Sequence, residues 1–102
     1  MQNKIFSLIG IATKAGKTVS GEFSVERAVK DRKAVVVVVA EEASDNTKKM
    51  FTNMCNFYNV PLYIYGTKDE LGNAMGKQMR ASMAITDEGL GRALEKQIKS
   101  EV

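Results

Sequence analysis

The sequence has no histidine and a single cysteine, Cys55, and those two shortages remove whole classes of chemistry. A structural zinc site needs several thiolate or imidazole ligands, which this chain cannot assemble. Ser–His and Cys–His catalytic pairs fail for want of the imidazole. No intrachain disulfide can form from one thiol. Cys55 shares a helical apolar face with Phe51, Met54 and Tyr58, the setting of a buried structural thiol rather than a reactive one. No apolar run approaches the roughly 18–20 residues that span a bilayer. Met1-Gln2-Asn3-Lys4 leads into a periodic pattern rather than an apolar leader block, so a cytoplasmic protein is expected. Internal repeats, linkers and low-complexity stretches are also missing.

What is present fits one small globular domain. A chain of 102 residues has room for one hydrophobic core, and its apolar and charged fractions, 44% and 26%, are those of a folded soluble protein. The net charge is only +3, but it is unevenly spread. Residues 1–40 hold seven Lys/Arg against three Asp/Glu, and the remainder holds eight against nine. The basic surplus therefore belongs to the first two-fifths of the chain, where an anionic partner such as nucleic acid would find it.

Periodicity sets out nine elements. Ile5, Leu8, Ile9 and Ala12 recur at helical spacing over about residues 3–14, with Asn3 to cap the start and Gly16 to close the end. Thr18-Val19-Ser20 is a short extended piece, and a second helix runs from about Glu22 to Lys30. Gly21 ahead of it permits a sharp turn and leaves the first helical N–H groups accessible. Ala34 to Ala40 is a β-branched run without alternation, the mark of a strand covered on both faces. Ser44 or Asp45 caps a third helix that Asn59-Val60-Pro61 stops near Tyr58. Leu62 to Tyr65 is the next strand. Thr67 with Glu70 makes a capping box for a short helix to about Met75. After the Gly76–Ser82 loop come a strand over Met83–Thr86 and a last helix, capped by Asp87 or Thr86, with Leu90, Ala93, Leu94 and Ile98 inward. Alternation of this kind predicts an α/β fold, a three-layer α/β/α sandwich on a four-stranded mixed sheet, with residues 35–40 and 62–65 as parallel neighbours.

Three motifs invite a chemical reading. Thr13-Lys14-Ala15-Gly16-Lys17-Thr18 looks like the end of a phosphate-binding P-loop, but G-x-x-x-x-G-K-S/T places a glycine where Ile11 stands, and a helix rather than a strand precedes it. It is a false match. Asp87-Glu88 suits a helix start, where carboxylates complement the dipole. Glu41-Glu42 follows the central strand, where α/β sheets commonly place ligand groups. The richest stretch is Lys14 to Lys33: a basic turn, a glycine at a helix mouth, then Arg27, Lys30, Arg32 and Lys33. A helix N-terminus flanked by cations can hold phosphates, although a solvated amphipathic helix has the same composition. The loop Gly76-Lys77-Gln78-Met79-Arg80-Ala81-Ser82 mixes cations with an apolar side chain, which can meet the backbone and an unstacked base of structured RNA.

In order along the chain, Ala15-Gly16-Lys17-Thr18-Val19-Ser20-Gly21, Val35–Ala40 with Glu41-Glu42-Ala43, Tyr58-Asn59-Val60-Pro61-Leu62, Leu71-Gly72-Asn73-Ala74-Met75-Gly76 and Ala84-Ile85-Thr86-Asp87-Glu88-Gly89 are similar to one family. Over about residues 4–95 the chain resembles the kink-turn-binding ribosomal proteins (the L-seven-Ae and L-thirty-e superfamily), especially its small stand-alone bacterial members of the YlxQ type. The resemblance implies an α/β/α sandwich that binds RNA through one edge. In the family the helix mouth reads Gly-x-Asn-Glu-x-x-Lys and meets the sheared G·A pairs of the kink. Here it reads Gly21-Glu22-Phe23-Ser24-Val25-Glu26-Arg27. Gly21 is kept, Arg27 keeps the charge with a different hydrogen-bonding geometry, and Phe23 and Ser24 replace the polar pair that reads guanine edges. Phe23 is open to two readings, stacking on a base or stapling against the neighbouring helix. The second contact loop maps onto Gly76–Ser82, one residue shorter than in the family and without its proline. Lys68 aligns with a basic position that meets the backbone, and Glu41 with the acidic strand end near the RNA.

The expectation is a non-catalytic, monomeric protein that binds structured RNA, kink-turns or related kinked helices, with the ribosome as a candidate host and no cofactor, metal or membrane involved. The candidate RNA contacts are Lys17, Thr18, Ser20, Gly21, Glu22, Phe23, Ser24, Arg27, Lys30, Glu41, Lys68, Lys77, Met79 and Arg80. A protein–protein interaction module of the same fold is the alternative. A small enzyme or nucleotide-binding domain is disfavoured by the missing histidine, the failed P-loop and the lack of a clustered nucleophile and base.

Overall fold

The computed structural model describes residues 3–101, and in it four of the five helices begin where a polar side chain takes up free N–H groups. Asn3 accepts from Ile5 and Phe6 at the head of α1 (Lys4–Lys14), and Ser44 accepts from Thr47 at the head of α3 (Asp45–Tyr58). Thr67 and Glu70 form the expected capping box of α4 (Lys68–Ala74), and Asp87 caps α5 (Glu88–Ser100). Each such cap contributes about 1 kcal/mol. The exception is α2 (Glu22–Lys30), whose N-cap is Gly21 and which no side chain caps.

Between the helices run β1 (Thr18–Ser20), β2 (Val36–Val39), β3 (Leu62–Ile64) and β4 (Ser82–Ile85). They form one mixed sheet in the order β1-β4-β2-β3. β2 and β3 are parallel, while β4 lies antiparallel to both β1 and β2. β2 and β3 are shorter than their apolar runs suggest because pairing ends before apolarity does. Ala40, for instance, has left the ladder, yet its N–H still donates to the Ala81 carbonyl at 2.8 Å. β4 starts at Ser82, one residue earlier than its apolar pattern, because Ser82 pairs with Val39.

Alternate residues of β2 feed two cores. Val36, Val38 and Ala40 pack with Ile5 and Ile9 of α1, Leu71 of α4 and Leu94 of α5. Val37 and Val39 pack with Val25 and Val29 of α2 and Phe51 and Cys55 of α3. The sheet is therefore covered by α1, α4 and α5 on one side and by α2 and α3 on the other, the three-layer sandwich. Every residue of β2 is fully buried, and burying each valine side chain contributes roughly 1.5–3 kcal/mol. Among the described residues no helix is long and apolar enough to cross a membrane.

Cys55 is 1% exposed, and burial pushes its thiol up to about 11. Since the thiolate is the reactive form, a water-soluble disulfide reagent at pH 8 should leave the folded protein unmodified over minutes and label it fully in denaturant. Native-state labelling at the rate of free cysteine would contradict this packing.

Candidate nucleic-acid interface

Because β4 runs against its neighbours, its start lies beside the ends of β1 and β2. The Gly21 N–H donates to the Ser82 carbonyl at 3.1 Å, and the Glu41 N–H donates to the Gly66 carbonyl at 2.8 Å. The segments after β1, β2 and β3 and the loop before β4 thus share one rim of the sandwich. The helix mouth at Gly21 and the Gly76–Ser82 loop, far apart in sequence, are brought together there.

At the mouth, Gly21 has φ 91 and ψ 151, a combination essentially confined to glycine. This turn reverses the chain from β1 into α2 and leaves the first-turn N–H groups of α2 without a side-chain cap. Phe23 stands in that first turn and is 73% exposed, so it does not staple α2 to a neighbour. Its ring carries the Arg27 guanidinium, 5.9 Å from the centroid, an interaction worth about 0.5–1 kcal/mol at an exposed site. Arg27 also lies 3.8 Å from Asp31, a solvated pair that adds little. Phe23, Ser24 and Arg27 line a cleft of about 260 Å³ against Val19 of the edge strand β1.

The opposing loop is tied down at several points. The Arg80 Nε–H donates to the Ser20 hydroxyl at 3.0 Å, and its Nη1 donates to the carbonyls of Met79 at 2.9 Å and Gln78 at 3.3 Å. The Arg80 N–H reaches the Lys68 carbonyl at 3.1 Å. Arg80 is therefore a strut between the loop and β1, with its Nη2 edge left over for a ligand. Met79 points outward, 60% exposed. The anchor on the α4 side is Gly72: a Cβ there would sit 2.1 Å from the Gln78 carbonyl oxygen. Gly72 is absent from the candidate site residues, although a glycine inside a short helix next to a loop is a sequence signal of close backbone approach.

The charge of the rim is mixed. Arg27, Lys68, Lys77 and Arg80 are interleaved with Glu22, Glu41 and Glu42. Glu42 has a structural task, accepting the Lys68 N–H at 2.7 Å at the head of α4, where a carboxylate complements the helix dipole. Lys68, Lys77 and Arg80 make no ion pair among the described residues. Three candidate residues do not join them. Lys17 precedes and Thr18 begins β1 at the opposite end of the sheet, where the Lys17 carbonyl accepts from the Thr86 N–H, and the Thr18 hydroxyl donates to Thr13 at 3.1 Å. Lys30 sits in the last turn of α2, held by Glu26 at 2.8 Å, a hydrogen bond that raises its pKa above the ordinary lysine value. The remaining candidates, Ser20, Gly21, Glu22, Phe23, Ser24, Arg27, Glu41, Lys68, Lys77, Met79 and Arg80, lie along the rim or on the first turns of α2. Asp87-Glu88 is structural: Asp87 caps α5 and Glu88 pairs with Arg92 at 3.1 Å. Among the described residues no cluster of three or more Asp, Glu, His or Cys could hold a metal ion.

Comparison with known proteins adds four findings. The profile of the "Ribosomal protein L7Ae/L30e/S12e/Gadd45 family" matches residues 3–96. The chain is 39% identical over 89 residues to RNA-binding protein YlxQ of Bacillus subtilis, covering 87% of this chain and 89% of that one. It is 33% identical over 98 residues to RNA-binding protein YlxQ of Enterococcus faecium, with 96% and 94% covered. A solved structure of a protein with unknown function from Bacillus halodurans C superimposes with a TM-score of 0.94 at 32% identity, over 96% of this chain and 99% of that one.

Replacing a helical glycine by alanine ordinarily stabilises by up to about 1 kcal/mol. For Gly72→Ala the sign should reverse, with a loss of about 1–3 kcal/mol, because the new methyl collides with the backbone of the Gly76–Ser82 loop. Thermal unfolding decides it: a melting temperature equal to or above that of the parent would show that the loop does not lean on Gly72.

Proposed function

The chain belongs to the ribosomal protein L7Ae/L30e/S12e/Gadd45 family, and from that premise we propose that it binds structured RNA without catalysing a reaction, as a single RNA-binding domain and a monomer. The names of its relatives in Bacillus subtilis and Enterococcus faecium, both RNA-binding proteins, support the class of partner. The observation that carries the reading here is the convergence of two loops on one rim, joined by the Arg80–Ser20 and Gly21–Ser82 hydrogen bonds. A sharply bent RNA helix presents two backbone segments at once, and two adjoining protein segments can meet them together. Kink-turns and related kinked helices, ribosomal or other noncoding, are the targets we assign.

Each part of the rim has a task in this reading. The uncapped first turn of α2 offers N–H groups to a phosphate. Arg27, Lys68 and Lys77 add charge that is not strongly tied up elsewhere, and the Nη2 edge of Arg80 is available beside them. Phe23 in the first turn of α2 and Met79 in the Gly76–Ser82 loop are both exposed, and an unstacked base can lie against either. Phe23 and Ser24 offer fewer groups for hydrogen bonds to guanine edges than an Asn-Glu pair would. Recognition then leans on the shape of the kink and on stacking more than on base identity.

Two outcomes test the reading. Phe23→Ala should weaken binding of a kinked hairpin RNA by about 5- to 100-fold, the loss of one stacked base, with the fold intact by circular dichroism. The Arg27→Ala, Lys68→Ala double variant should make the plot of log affinity against log salt shallower by nearly 2, since each cation that meets a phosphate releases about one counterion. A parent protein that retards no kinked RNA, or a double variant with an unaltered salt slope, would remove the basis for this assignment.

A further inference from the structure

At the end of the sheet away from the rim, the turn out of α2 carries an unexpected residue. The Arg32 N–H donates to the Val29 carbonyl at 3.1 Å and the Lys33 N–H to the Ala28 carbonyl at 2.9 Å, the pattern of a helix end whose penultimate residue is left-handed and normally glycine. That residue is Arg32, with φ 60. Asn59, with φ 58 after α3, is the other positive-φ residue besides glycine among those described, and asparagine tolerates the region far better than arginine does. Arg32 thus holds a strained backbone where glycine would be relaxed, and its side chain explains what is gained. The guanidinium carbon lies 5.5 Å from the centroid of the Tyr58 ring. Tyr58 in turn meets Phe57 edge to face, with centroids 5.0 Å apart at 76°, and Phe57 is 78% exposed.

The surroundings are cationic. Lys33 follows Arg32 and is exposed, and neither forms an ion pair among the described residues, whereas Glu26 is taken by Lys30 at 2.8 Å and Asp31 faces Arg27 at 3.8 Å. An exposed phenylalanine ring set edge-on to a tyrosine that carries a guanidinium, with Lys33 unpaired beside it among the described residues, matches a partner that brings a flat aromatic group and an anion together. A nucleotide does so within one residue. We propose that Phe57, Tyr58 and Arg32 form a second RNA contact, which takes an unpaired nucleotide by stacking its base on Phe57 and holding its phosphate at Arg32 and Lys33. This inference rests on the reading of the chain as an RNA-binding protein. Arg32 lies five residues beyond Arg27, about 7 Å at 1.5 Å per residue, and Lys33 lines the far end of the cleft that Phe23 and Arg27 open at the rim. RNA held at the rim could therefore run a single-stranded flank down α2 to this second surface.

The test uses a fluorescein-labelled eight-nucleotide oligoadenylate and, separately, a kinked hairpin RNA, with anisotropy as the readout. Arg32→Gly removes the guanidinium and relieves the backbone, so its melting temperature should equal or exceed that of the parent; Phe57→Ala changes an exposed side chain. Each variant should bind the oligoadenylate at least about fivefold more weakly, the loss of one stacking or cation–π contact, and bind the hairpin as the parent does. Oligoadenylate affinity unchanged in both variants overturns the proposal and leaves the patch to a protein contact. Sensitivity to Phe23→Ala instead also overturns it, by assigning single strands to the rim. Hairpin binding that fails in the parent while oligoadenylate binding remains and is lost in Phe57→Ala sinks the reading of the rim and upholds this surface.

Discussion

The insertion of β4, antiparallel, between β1 and β2 is the constraint on which the candidate interface depends. The register pairs Ser20 with Met83 and Val39 with Ser82, so the chain entering β4 must arrive beside the ends of both neighbours. A parallel strand in the same place would deliver its leading loop to the opposite end of the sheet. The loop is then held by contacts of two kinds. Gly72 lets the backbone of α4 touch that of Gln78, which no side chain could permit, and Arg80 bridges across to Ser20.

Electrostatics contribute less to this rim than the basic first part of the chain suggests. The cations of residues 1–40 are divided between two ends of the molecule, and two of them face carboxylates one helical turn away, Lys30 with Glu26 and Arg27 with Asp31. Glu42 serves α4 rather than a ligand. With a rim of mixed sign, shape and stacking carry more of the recognition than a uniform phosphate-binding field would.

An aromatic–guanidinium pair occurs at each end of α2, Arg27 on Phe23 near its start and Arg32 on Tyr58 just past its end. The first needs no backbone strain, because both residues lie on the helix four positions apart and meet naturally. The second is obtained through a left-handed arginine, in a turn where glycine would cost nothing. Strain of this kind persists only where the surrounding packing over-determines it, and here the ring of Tyr58, itself packed against the core beneath α2 and α3, supplies that support.

Local chemistry was legible in the residues alone. The caps at Asn3 and Thr67, the stop at Asn59-Val60-Pro61, and the two-sided burial of Val36–Val39 each follow from a few neighbouring side chains and stand in the structure. The structure takes Ser44 rather than Asp45 and Asp87 rather than Thr86 as the caps of α3 and α5. The helix mouth at Gly21 was readable for the same reason, since only glycine takes its conformation readily. The site was legible in part. Lys17, Thr18 and Lys30 share sequence proximity with Gly21 but not its end of the sheet, because a strand and a helix each carry the chain a full layer's length away. Arg80 reads as a free cation in the sequence and becomes a strut only once Ser20 is beside it. Composition and spacing thus determined which segments form helices and strands and which turns need glycine, because those depend on interactions within one turn or one strand. Tertiary structure alone decided which loops meet, which charges are already spoken for, and where an arginine is held on a tyrosine ring, because these depend on the order and direction of strands, and pairing between distant segments leaves no local trace.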